Sequence, residues 1–225
     1  MLYIDHIFSP NLLYKPNFKC DHITLYGSLQ NKSKIENVLS DVKKSIKKYP
    51  IYNQDYQVTI FIVNEHIFDI FKVFSMFGGD IDGINLFDRI FISSDLVTIG
   101  TRKNRYLYQI FVHEIVHSLQ AKRYGGFIKE KIRTPKWVHE GYAVYTSRSK
   151  SYKEEESDIK KFLDIYRKSK FEKFNSYDMY RVYGLMVQYA IEKMHKSIDE
   201  LHQGEVSRND VLALLLKDYN ISTKE

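Results

Sequence analysis

Tyr106-Leu-Tyr-Gln-Ile-Phe-Val-His113-Glu114-Ile115-Val116-His117-Ser-Leu119 carries its apolar residues at helical spacing. Leu107, Phe111, Ile115 and Leu119 recur every fourth residue with Val112 and Val116 beside them, which predicts a helix near 105–122 that is buried on most sides. Its remaining face runs through Tyr106, Ile110, His113 and His117. Two imidazoles at i and i+4 stand one above the other on a helix, so both can reach one small cation. Glu114 is turned about 100° from its neighbour His113, within reach of a water beside such a cation without ligating it. With 8 His and 13 Glu in 225 residues, chance would supply the pattern His-Glu-x-x-His about 0.02 times per chain.

A second stretch, Trp137-Val-His139-Glu140-Gly141-Tyr-Ala143-Val-Tyr145, lies on the next expected helix, 136–148, with 22 residues between His117 and Glu140. A carboxylate at Glu140 can complete a His, His, Glu set and leave a fourth position open, as a catalytic zinc site requires. The small residues Gly141 and Ala143 would let this helix approach the first one closely.

Together, His113-Glu-x-x-His117 and Trp137-x-x-Glu140-Gly-x-Ala143 resemble the gluzincin zinc metallopeptidases of the broad peptidase MA-like group. The order of elements, early strands and helices followed by a helical half, agrees with that group over most of the chain. The resemblance implies one Zn2+ per chain held by His113, His117 and Glu140, with Glu114 as general base in the hydrolysis of peptide bonds. His139 is the alternative ligand, and Glu140 fits the helical phase of the family pattern better. The chain departs from better-known branches. Gln120 and Arg123 stand where metzincins carry Gly and His, and Val144 stands where thermolysin-like enzymes carry Asp, so no partner for an imidazole can be assigned from the motif. Related enzymes draw an oxyanion donor from a later helix, where this chain has Tyr177, Tyr180 and Tyr183 ahead of Gly184; Tyr180 is the first choice, Tyr183 the second, and packing is the alternative role for both. By the same resemblance, the strand before the first motif, Asp88 to Ser93, would form the sheet edge that pairs with an extended peptide or protein substrate.

The rest of the chain predicts an α+β fold. Ile23–Tyr26, Val58–Val63 and Arg89–Ser93 read as strands; Ile35–Ile46 and Ile67–Phe74 read as helices; Gly78-Gly79, Gly83 and the turn around Gly100 read as breaks. Further helices are expected near 156–169, 176–195 and 209–217. The expectation is a single zincin-like domain over 1–225, with a sheet-containing lobe (1–103), a helical lobe (104–225) and the active-site cleft between them.

Hydrophobic residues make up 44% and charged residues 28% of the chain, which excludes disordered and low-complexity classes. Cys20 stands alone, so neither a disulfide nor a thiolate metal site is expected. No stretch is long and apolar enough to span a membrane, and Met1-Leu-Tyr-Ile-Asp-His6 lacks the layout of a signal peptide. A cytoplasmic location is expected for the sequence as written, and export if a leader has been trimmed. The net charge of +6 rests on 25 Lys and 9 Arg, and is read as solvated surface, with a polyanionic partner as the alternative. Lys122, Arg123, Lys129, Lys131, Arg133 and Lys136 stand against Glu130 alone in the connection between the two motifs, net +5, either a solvated loop or a preference for an acidic substrate or a polyanion. Two other functions remain open: a catalytically silent zincin-fold binding module, against which an intact Glu114 speaks, and a basic protease associated with nucleic acid.

Overall fold

The structure is a computed structural model that describes residues 16–20, 22–27, 32–74, 83–86, 89–98, 104–148, 156–169 and 176–221. The chain divides into two compact units, Met1–Arg123 and Tyr124–Glu225. The expected breaks at Gly78-Gly79 and Gly100, and Asp88, lie outside the described residues.

The first unit is built on one mixed sheet. Strands β1 (Pro16–Cys20), β2 (Ile23–Gly27), β3 (Val58–Val63), β4 (Gly83–Leu86) and β5 (Arg89–Ser93) lie in the order β1-β2-β3-β5-β4. β2, β3 and β5 run parallel, while β1 and β4 pair antiparallel to β2 and β5. The parallel strands are the most apolar because both of their faces are covered. Register places Tyr26, Phe61 and Phe91 side by side, and their rings stack at centroid separations of 5.1 and 5.3 Å. Such cross-strand aromatic rows stabilise one register against its neighbours.

Helix α1 (Lys32–Ile46) makes the crossover from β2 to β3 and buries Ile35, Val38, Leu39, Val42 and Ile46. The other described helices of the unit are α2 (Glu65–Phe74), α3 (Ser94–Thr98) and α4 (Asn104–Arg123), and α4 packs on α1. The helix bearing His113 and His117 therefore belongs with the sheet. Two expectations change. Gly83 opens a strand where a break was expected, and β5 is paired on both sides, so the sheet edge at that end is β4. β4 escapes notice in the sequence because it is four residues long and contains Gly and Asn, both poor strand formers.

The second unit contains α5 (Phe127–Arg133), α6 (Lys136–Arg148), α7 (Glu156–Ser169), α8 (Ser176–Glu192), α9 (Ile198–His202) and α10 (Arg208–Asp218). Its centre is the contact between α6 and α8, with α10 also on α8. The backbones of α6 and α8 come close at two glycines. A Cβ added to Gly141 would stand 2.5 Å from the carbonyl oxygen of Tyr183, and one added to Gly184 would stand 2.6 Å from Cγ1 of Val144. The expected small residue of α6 thus serves an approach to α8. A capping box closes the start of α9: the Ser197 side chain accepts from the Glu200 N–H, and the Glu200 carboxylate accepts from the Ser197 N–H. Among the described residues no helix is long and apolar enough to cross a membrane.

Candidate metal centre

On α4 the helical spacing does what the sequence implied. His113 and His117 turn their Nε2 atoms toward each other at 3.1 Å, with the ring planes nearly perpendicular at 87°. His117 is held from its other side, where its Nδ1–H donates to Oε1 of Gln120 at 3.1 Å. A carboxamide oxygen only accepts, so this bond places the proton on Nδ1 and leaves the Nε2 lone pair available. Gln120 is fully buried and is the orienting partner that the motif alone could not identify; its place three residues beyond His117, within one turn, is the only sequence signal for it.

Glu114 is buried on the same helix. Its carboxyl group lies against the edge strand: a Cβ added to Gly83 would come within 2.7 Å of its Cγ and 2.9 Å of both Cδ and Oε1. Two residues on, and so on the same face of β4, Asn85 donates through Nδ2 to the carbonyl oxygen of Glu114 at 3.1 Å and to Oγ of Ser118 at 2.5 Å. Strand β4 is thereby tied to α4 at Glu114. Gly83 and Asn85 were not among the expected site residues.

His113, His117 and Glu140 form the one group among the described residues that could hold a metal ion, with one ligand atom from each lying within 4.8 Å of the other two. The donor set fits a divalent ion. Ligands about 2.0–2.1 Å from a tetrahedral centre stand roughly 3.3 Å apart, close to the spacing of the two Nε2 atoms. Glu140, rather than His139, completes the group. His139 is engaged elsewhere, with Nδ1 2.7 Å from Oε1 of the buried Glu130 and Nε2 3.9 Å from Oε1 of Glu140.

The two candidate tyrosines lie on α8. The Tyr180 ring is half-buried and receives the Lys136 ammonium at 5.8 Å from its centroid, on the turn of α6 that precedes Glu140. Tyr183 is buried; the Arg208 guanidinium lies 5.4 Å over its ring, and Nη2 of Arg208 donates to the hydroxyl of Tyr166 at 3.5 Å. The two tyrosine rings are 6.4 Å apart. Burial pushes the Tyr166 phenol up to about 12, against the pull of Arg208. No protein-family model, curated protein or solved structure matches the chain significantly.

Proposed function

We propose that this chain is a zinc-dependent peptidase of the gluzincin type. The observation that carries the reading is that His113, His117 and Glu140 form a group that could hold a metal ion, with Glu114 on the same helix as the two histidines. His113, His117 and Glu140 would hold a zinc ion, which when bound would supply a Lewis acid and lower the pKa of a water toward about 7. Glu114 takes the proton from the attacking water and returns it to the leaving amine, a carboxylate acting as base and then as acid. Gly83 leaves the space that the carboxyl group occupies beside β4, and Asn85 ties the Glu114 backbone to that strand. The outer edge of β4 offers backbone groups to an extended peptide, in place of the segment 88–93 expected from the sequence. Tyr180 is the first choice as donor to the developing oxyanion and Tyr183 the second, because Arg208 covers the Tyr183 ring.

The test sets the two glutamates against each other. Glu114→Gln should keep zinc and fold while hydrolysis of a mixed peptide pool is lost, since an amide takes no proton. Glu140→Gln should lose zinc, because a neutral ligand replaces an anionic one. Hydrolysis surviving in Glu114→Gln would refute the mechanism. A wild-type chain that binds zinc and cleaves nothing in a broad pool would be a metal-holding module.

A further inference from the structure

Helix α5 turns its chemistry inside out. Its only acid, Glu130, is 0% exposed and engages His139, whereas Ile128 and Ile132 are 65% and 77% exposed. An ordinary surface helix does the reverse, hiding its apolar stripe and showing its charges. The two isoleucines are four residues apart and share one face, and Lys129 and Arg133, also exposed and four apart, lie beside them. Lys136 follows, exposed, while Lys131 curls its ammonium over Phe127, 4.3 Å from the ring centroid. Glu130 is the only acid from Tyr124 to Lys136, so with it buried every charged side chain this segment shows to solvent is positive.

We infer that α5 docks the protein on an anionic bilayer, with Ile128 and Ile132 entering the acyl boundary and Lys129 and Arg133 meeting the headgroups. Charge complementarity selects an anionic partner. A bare polyanion such as nucleic acid accounts for the cations and leaves the isoleucines without a role. An acidic peptide would need pockets for its side chains, yet isoleucines 65% and 77% exposed stand proud of the described surface. A bilayer needs no preformed pocket, and long basic side chains spread their stems beside apolar neighbours while keeping their charge in the headgroup layer. The chain enters the helix through Gly125 and Gly126, both at positive φ (96° and 101°), and a side chain at Gly126 would meet nothing within 4 Å. The approach to the helix is therefore open.

This inference is independent of the peptidase reading and is tested without any assay of hydrolysis. The full chain is mixed with vesicles of phosphatidylcholine alone or with phosphatidylserine added, and the bound fraction is read by co-sedimentation. Binding is expected to the phosphatidylserine vesicles, weakening as salt rises, with little to phosphatidylcholine alone. Ile128→Ser with Ile132→Ser, and separately Lys129→Gln with Arg133→Gln, should each reduce it about tenfold or more, with the circular dichroism spectrum unchanged. Ile128→Leu with Ile132→Leu should bind as the wild type does. Absence of binding to phosphatidylserine vesicles overturns the inference, as does binding indifferent to the serine pair. Isoleucine-dependent capture by an acidic polypeptide without vesicle binding would assign the face to a protein partner instead, and overturn it too.

Discussion

The imidazole of His117 is clamped between two groups at equal distance: Gln120 Oε1 stands 3.1 Å from its Nδ1 and His113 Nε2 stands 3.1 Å from its Nε2. Gln120 therefore sets the tautomer that leaves a lone pair for a metal. Gln120→Leu keeps the volume and removes the acceptor. Zinc affinity, measured by competition with a chromogenic chelator, should fall about 10–100-fold, the usual cost of losing such a partner. Gln120→Glu, which restores an acceptor, should recover most of it. Unchanged affinity in the leucine variant would show that His117 is oriented by something else.

Gly83→Ala places a methyl group where the Glu114 carboxyl now lies, 2.7–2.9 Å from three of its atoms. The carboxylate has to swing away or the strand has to move. On the proposed peptidase reading Glu114 is the base, and misplacing a reacting group by about 1 Å can cost 10²-fold, so kcat should drop about 10–100-fold while zinc content stays at the wild-type level. A loss of zinc in parallel with activity would place the effect at the ligands rather than at the base.

Gly141→Ala and Gly184→Ala test the contact between α6 and α8. At Gly141 the new methyl meets backbone, the Tyr183 carbonyl, whereas at Gly184 it meets the Val144 side chain. Overpacking of this kind costs about 1–3 kcal/mol, and Gly141→Ala should lie at the upper end because main chain yields less than a side chain. Urea unfolding of both variants gives the comparison; equal midpoints for Gly141→Ala and wild type would contradict it.

His202 supplies a pH prediction. It is buried, stacked on Tyr124 with ring planes 11° apart and bonded to Thr134 through Nδ1. Burial holds it below the usual histidine range, outweighing the opposite pull of Glu130 and Asp199. The unfolded chain therefore binds the proton more readily than the folded one. Its contribution to stability is complete above the unfolded pKa of about 6.5 and is lost as pH falls below that value toward the folded pKa. The melting temperature should decline between about pH 8 and pH 5.5, and less steeply in His202→Phe. Parallel slopes in the two proteins would place the effect on other groups.

Long periodic segments were legible in the sequence. β3 over 58–63, α6 over 136–148 and α7 over 156–169 fall where the apolar spacing puts them, and the group that could hold a metal ion consists of His113, His117 and Glu140. What escaped was short or inverted. β1 (Pro16-Asn-Phe-Lys-Cys20) and β4 (Gly83-Ile-Asn-Leu86) are outer strands of the described sheet whose Pro, Asn and Gly are poor strand formers. α5 reads as a charged loop because its glutamate is inside and its isoleucines are outside, against the binary pattern by which helices are recognised. A composition change near residue 104 suggested a boundary between lobes there, yet the first compact unit continues to Arg123, because α4 packs on α1. Gln120 and Gly83 act through side-chain orientation and space, which one-dimensional spacing does not carry.

The parallel centre of the sheet has a kinetic consequence. Ile23 pairs with Val58 and Thr59 with Arg89, so none of the central pairings forms by closing a local hairpin. Each requires an intervening crossover to be made first, and loop closure of that kind is slow relative to the neighbour-to-neighbour contacts of a helical unit. Formation of the β2-β3-β5 core should therefore limit the rate at which the two histidines of α4 acquire a rigid base, and mutations that slow refolding should cluster in Tyr26, Phe61 and Phe91 rather than in the residues that would hold the metal.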